Sequence, residues 1–180
     1  ATVKQYGDFV PLTDMLLLTA IDNNLVQALD LLGAQAGATL DTVTREILMG
    51  GTSVQYAEGQ VTSRATLTAE HKLTVKAVRL AARFLKKQNA PKIDGGYVAI
   101  IHPDIAYDIQ DDPDWKEWNK YTTSDKMFQG EIGKIANVRF VETTEAKIFA
   151  KAGASNQDVY ATLVLGANAY GFQSTGSYEP

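Results

Sequence analysis

The chain has 180 residues, 45% hydrophobic and 21% charged, with a formal net charge of −4 and no cysteine. That length suits one sizeable domain or a body with a subdomain, and the missing cysteine removes disulfides, thiolate chemistry and zinc–thiolate sites. The negative balance argues against a dedicated nucleic-acid binder; no stretch reads as a signal peptide, and no apolar run reaches the length of a membrane span. An intracellular or cytoplasmically assembled protein fits these features. The start at Ala1 and the stop at Pro180, directly after strand-like sequence, suggest a processed product or an excised piece.

In chain order, Val3 to Leu12 reads as extended, kinked at Tyr6-Gly7-Asp8 and closed by Pro11. Thr13 then caps a short helix through Thr19. The longest element runs from about Asn23 to Met49, where Leu25, Leu29, Leu32, Ala36, Leu40, Val43 and Ile47 keep one stripe at helical period. Asp22 is its N-cap candidate, and Gly50-Gly51 end it. At 1.5 Å per residue the rod is about 40 Å long, against a mean of about three turns in globular proteins. Gly33 and Gly37 in its middle cost helix propensity, which suggests a close backbone approach or a gentle bend; a core helix tolerating two glycines is the plainer reading.

Thr52 to Thr66 lacks periodicity and reads as a loop or loose strand pair between subdomains. Thr68 is expected to cap a second helix through about Gln88, with Leu73, Ala77, Leu80, Ala81, Phe84 and Leu85 inward. Gly95-Gly96 turns the chain into Tyr97–Ile101, a strand apolar enough to be buried on both faces. Pro103 opens a third helix to about Gln110, broken by Asp111-Asp112-Pro113-Asp114. After the aromatic stretch Trp115 to Tyr121, strands are expected at 138–142, 147–150, 160–165 and 170–173. Helices lead and strands follow, so the fold class is α+β.

Four features have the residue types of a functional site, and each has a reading against it. His102 at a strand end, beside Asp104, has the chemistry of a general base or metal ligand. Its only fellow, His71, is on another helix, so His102 reads better as the residue that opens a helix. Asp111, Asp112 and Asp114 resemble a calcium loop without its glycine and with Pro113 intervening, and fit a solvated turn. Gly130 to Lys134 lacks the residue order of a phosphate-binding loop. Lys72, Lys76, Arg79, Arg83 and Lys86 recur at helical spacing, a stripe suited to phosphates, to an acidic neighbour or to plain solvation. No Ser/His/Asp set or carboxylate pair stands out, and no cofactor is implied. The residues alone name no activity.

A resemblance adds to this reading. It is carried by Gln5–Val10 with Thr13-Asp14, by the helix end Thr39–Thr42 through Gly50-Gly51-Thr52, and by Tyr97–Asp104 with Asp108. Gly130–Gly133, Val138–Thr143, Leu163–Gly166 and Ala169–Gly171 continue it to the end of the chain. These stretches, in this order, resemble the major capsid protein of tailed bacteriophages with the Hong Kong 97-type fold, more narrowly the family of podophages and many prophages. The resemblance implies a structural protein and no enzyme, in the virion capsid, assembled in the bacterial cytoplasm as pentamers and hexamers of itself. Scaffold, portal or decoration proteins and non-specifically packaged DNA are the further partners it implies, and no membrane.

By the same resemblance the helix at about 23–49 would be the spine helix of a peripheral domain, 1–66. Residues 67–165 would form the axial domain, and 166–180 would return, truncated, to the periphery. The cations Lys76, Arg79 and Arg83 would then meet acids such as Asp111, Asp112 and Asp114 on a neighbour. Little of the family's N-terminal arm and extended loop is present, which suggests a core fragment that is monomeric or forms small oligomers. The rival expectations are an encapsulin-like nanocompartment shell, which shares the fold, and a small cytosolic α+β enzyme built on His102, Asp104 and Glu142.

Overall fold

The computed structural model describes residues 4–19, 23–57, 62–119 and 133–171. The chain divides into two compact units, Ala1–Ile47 and Leu48–Pro180.

The first unit holds helix α1 (Asp14–Thr19) and most of helix α2 (Asn24–Met49). The Thr13 hydroxyl accepts the Leu16 amide at the start of α1, as expected of a cap. α2 runs unbroken for 26 residues, and its threonines fit a helix interior because Thr39 and Thr44 hydroxyls donate to the carbonyls of Gln35 and Leu40, each at 2.8 Å. The Gln35 side-chain amide donates to the Asp8 carboxylate and ties the extended N-terminal segment to the helix. The expected cap Asp22 lies outside the described residues. No residue of α2 is buried, so the core-helix reading fails. A Cβ built on Gly33 or Gly37 meets nothing within 4 Å; no close approach among the described residues requires either glycine.

The second unit carries the hydrophobic core. A four-stranded mixed sheet has the order β2-β3-β1-β6, with β1 (Tyr97–Ile101), β2 (Lys134–Ile135), β3 (Val138–Glu142) and β6 (Leu163–Leu165). β1 pairs parallel with β3, Ala99 opposite Phe140, and antiparallel with β6, Ala99 opposite Val164. Tyr97, Ala99 and Ile101 point into the core at 1% exposure or less, while Val98 and Ile100 are half-buried. β1 is thus not sealed equally on both faces. Helices α3 (Val75–Lys87) and α4 (Pro103–Asp111) complete the core through Val75, Val78, Ala82, Ala106 and Ile109. A separate hairpin pairs β4 (Ile148–Phe149) with β5 (Val159–Tyr160).

Turn chemistry sets the sheet's start. Asp94 and Gly95 both have positive φ inside the Ile93–Gly96 bridge, the backbone of a tight primed turn. A Cβ on Gly96 would stand 2.5 Å from the Asn137 carbonyl, which accepts the Tyr97 amide. Only glycine lets the two hairpins approach this closely. Ala136 and Asn137, at φ 52 and 67, form the matching turn between β2 and β3.

Several expectations need correction. The second helix begins at Val75 rather than Thr68: the Thr74 hydroxyl caps it by accepting the Ala77 amide, while Thr68 belongs to a turn closed by His71. Phe84 is 44% exposed and stands outside the core. Asp112-Pro113 does not simply end structure, because a short helix α5 (Pro113–Asn119) follows. The expected strand at 160–165 is interrupted between Tyr160 and Leu163. Tyr170 and Gly171 are not in a strand, and the rest of that expected strand, 172–173, lies outside the described residues, as do 130–132 of the glycine-rich run. Among the described residues no helix is long and apolar enough to cross a membrane.

Candidate functional site

The structure offers two candidate interaction surfaces and one polar cluster. The first surface is α2 with the segment before it. Leu25, Val26, Leu29, Leu31, Leu40 and Ile47 are each about half or more exposed, and Phe9 reaches 81%. Full burial of one such side chain is worth about 1.5–3 kcal/mol, and monomers rarely leave so many large apolar groups in water. The sequence placed Leu25, Leu29, Leu40 and Ile47 on one stripe; Val26 and Leu31 lie off it. Their apolar character was the available signal that more than one helix face seeks cover.

The second surface is charged. α3 carries Lys76, Arg79, Arg83 and Lys86 in the open, while Val78 and Ala82 are buried. Lys72, just before the helix, is bound to Asp108 of α4 at 3.0 Å, and that carboxylate holds its ammonium above the usual lysine range. The three acids predicted to face a neighbour have work inside the chain. Asp111 pairs with Lys116 at 2.7 Å, which lowers its pKa. Asp112 accepts the Val75 amide through one carboxylate oxygen and the Asp114 amide through the other, both at 2.9 Å. One side chain therefore caps the first turn of α3 and that of α5. Asp114 sits in the first turn of α5, where the helix dipole favours a negative charge.

The polar cluster lies at the end of β1. His102 opens α4: its Nδ1 accepts the Asp104 amide at 3.2 Å. The same nitrogen lies 3.1 Å from the Asp104 carboxylate, to which it donates only when it carries the ring proton, so the two contacts exclude each other. The Tyr160 ring stands 5.1 Å from the imidazole, and the Asp104 carboxylate raises the Tyr160 phenol above its ordinary value. Glu142 pairs in register with Ile101 beside this cluster. His71 is elsewhere, its Nδ1 accepting the Thr68 amide at 2.9 Å. Among the described residues, no three His, Asp or Glu side chains are grouped to hold a metal ion. Helix initiation accounts for the ring nitrogen of His102 that the structure engages.

A 26-residue helix with no buried residue is suited to a protein that completes itself against other molecules. The comparisons give that class a family. Residues 1–178 match the family described as Phage capsid protein, and the chain belongs to it. It is a structural protein of the phage virion, as the resemblance implied. The fold is similar to the capsid of Ralstonia phage GP4, with a TM-score of 0.65 at 18% identity over 85% of this chain. The match covers 54% of that capsid chain, so this chain spans about half its length. No curated protein matches.

Proposed function

We propose that the chain is the shell-building subunit, or the core of it, of an icosahedral phage head with the Hong Kong 97-type fold. Copies of it assemble in the bacterial cytoplasm into pentamers and hexamers and enclose genomic DNA. In this reading α2 is the spine of a peripheral domain covering 1–66 and 166–180, and 67–165 form the axial domain. The observation that carries it is the 26-residue α2 without one buried residue. A rigid rod with apolar groups in water is costly for a solitary molecule and useful in a lattice, where each copy covers its neighbour. Membership of the phage capsid family favours a genome-enclosing shell over a nanocompartment.

Heterologous contacts that close into rings need complementary rather than self-matching patches. The apolar side chains of α2 supply one such patch. Replacing Leu29 and Leu40 by glutamate tests the reading: both are exposed, at 60% and 54%, so the variant folds with an unchanged circular dichroism spectrum. It fails to form rings or shells under conditions in which the unaltered protein does. Shells of normal yield from the double variant would remove α2 from the assembly contacts and with it the ground for the proposal.

A further inference from the structure

We infer that the exposed face of α3 binds the phosphate backbone of duplex DNA without regard to sequence. The charge distribution is the first ground. From Lys72 to Lys92 the chain places seven of its 17 lysines and arginines, with no acidic residue between Glu70 and Asp94, although the whole chain is at −4. A helix face that is merely solvated usually mixes signs, since opposite charges three or four residues apart support the helix; α3 has none of that support.

Geometry is the second ground. Lys76, Arg79, Arg83 and Lys86 are separated by three, four and three residues, which at 3.6 residues per turn confines them to about 80° of arc along about 15 Å of axis. All four are exposed, and none is ion-paired with a described carboxylate. Duplex DNA offers one phosphate charge per about 1.7 Å of its axis, or about nine along the same length.

The competing partner is an acidic patch on a second copy. The densest acidic run on the chain is Asp104 to Asp114, and it is largely engaged already. Asp104 contacts His102, Asp108 holds Lys72, Asp111 holds Lys116 and Asp112 accepts two amides. Among the described residues, four unpaired cations in one row thus find no equally dense row of available carboxylates on a copy of the same chain. A phosphate backbone supplies it. For the source of the DNA the inference rests on the proposed genome-enclosing role; for the binding itself it does not.

The experiment is fluorescence anisotropy of a labelled 20-base-pair duplex of arbitrary sequence, titrated with the protein from 50 to 200 mM KCl. Four phosphate contacts predict a log–log salt slope of about −3.6, an affinity loss of roughly 100-fold across that range. Arg79→Gln with Arg83→Gln lowers the slope by about two, and R79E/R83E abolishes binding at 50 mM. K4E/K134E, which changes net charge as much as R79E/R83E, keeps the slope. Absence of binding at 50 mM by the unaltered protein would overturn the inference, as would equal losses in R79E/R83E and K4E/K134E. Loss of ring or shell formation in R79E/R83E, with no DNA binding by the unaltered protein, would assign the face to an acidic second copy instead. Shells without DNA binding would sink this inference and leave the shell reading standing; DNA binding without shells would do the reverse.

Discussion

Asp112 separates two accounts of the acidic run, one in which it acts within the chain and one in which it faces a neighbour. Its two carboxylate oxygens each accept a backbone amide at 2.9 Å, one opening α3 and the other opening α5. Removing a capping acceptor costs about 0.5–2 kcal/mol, and hydrogen bonds to a charged group lie at the upper end of the usual range. Asp112→Ala therefore destabilises the unassembled chain by about 2–3 kcal/mol. For a chain of this size that lowers Tm by about 5–10 °C. Asp112→Asn keeps one amide oxygen as acceptor but turns an N–H group toward the other amide, so it loses about half as much. Calorimetry or thermal circular dichroism on unassembled protein reads both shifts. The reasoning fails if D112A melts within 1 °C of the unaltered chain, or if D112N matches it. An Asp112 that served only a neighbour would leave the melting of the single chain untouched.

Other expectations follow from the same geometry. Gly33→Ala and Gly37→Ala each stabilise α2 by about 1 kcal/mol in the unassembled chain, because the added methyl has open space; chemical denaturation shows this as a higher midpoint. If either variant then assembles poorly, the glycine serves the lattice rather than the monomer. Ala136 holds a left-handed φ of 52 in the β2–β3 turn, so Ala136→Gly raises stability by about 1 kcal/mol in the same assay. The raised phenol of Tyr160 means the folded chain holds that proton more tightly than the unfolded one. Its contribution to stability is complete below the unfolded value near 10 and is lost as pH rises through the folded value. Spectrophotometric titration should find Tyr160 ionising later than the exposed tyrosines, and Asp104→Asn should bring it back toward them.

The elements that were legible in the sequence are those fixed by local rules. Helical spacing from Leu25 to Ile47 marked α2 to within a residue or two, and the apolar run Tyr97–Ile101 and the strand-like run Val138–Glu142 marked the two central strands. Pro103 after His102 marked the start of α4. What escaped depended on contacts distant in sequence. Thr68 and Thr74 are both good caps, and the Asp112 carboxylate, 37 residues beyond Val75, helps select Thr74. α5 was hidden because Asp112 looks like a terminator and acts as a start. β2 was hidden because its turn uses Ala136-Asn137 in place of an Asn-Gly pair. Of the two exposed faces, the cationic row on α3 was visible from spacing alone. The exposure of α2 was not, since an apolar stripe announces burial without saying in which molecule.

The central claim is that copies of this chain build a closed shell. Sedimentation velocity combined with electron microscopy, on protein expressed from its full reading frame, tests it most directly. The account predicts closed icosahedral particles, or rings of five and six subunits, whose proportion shifts with salt. A monomer or dimer that persists at every salt concentration, with no rings in the micrographs, would contradict it.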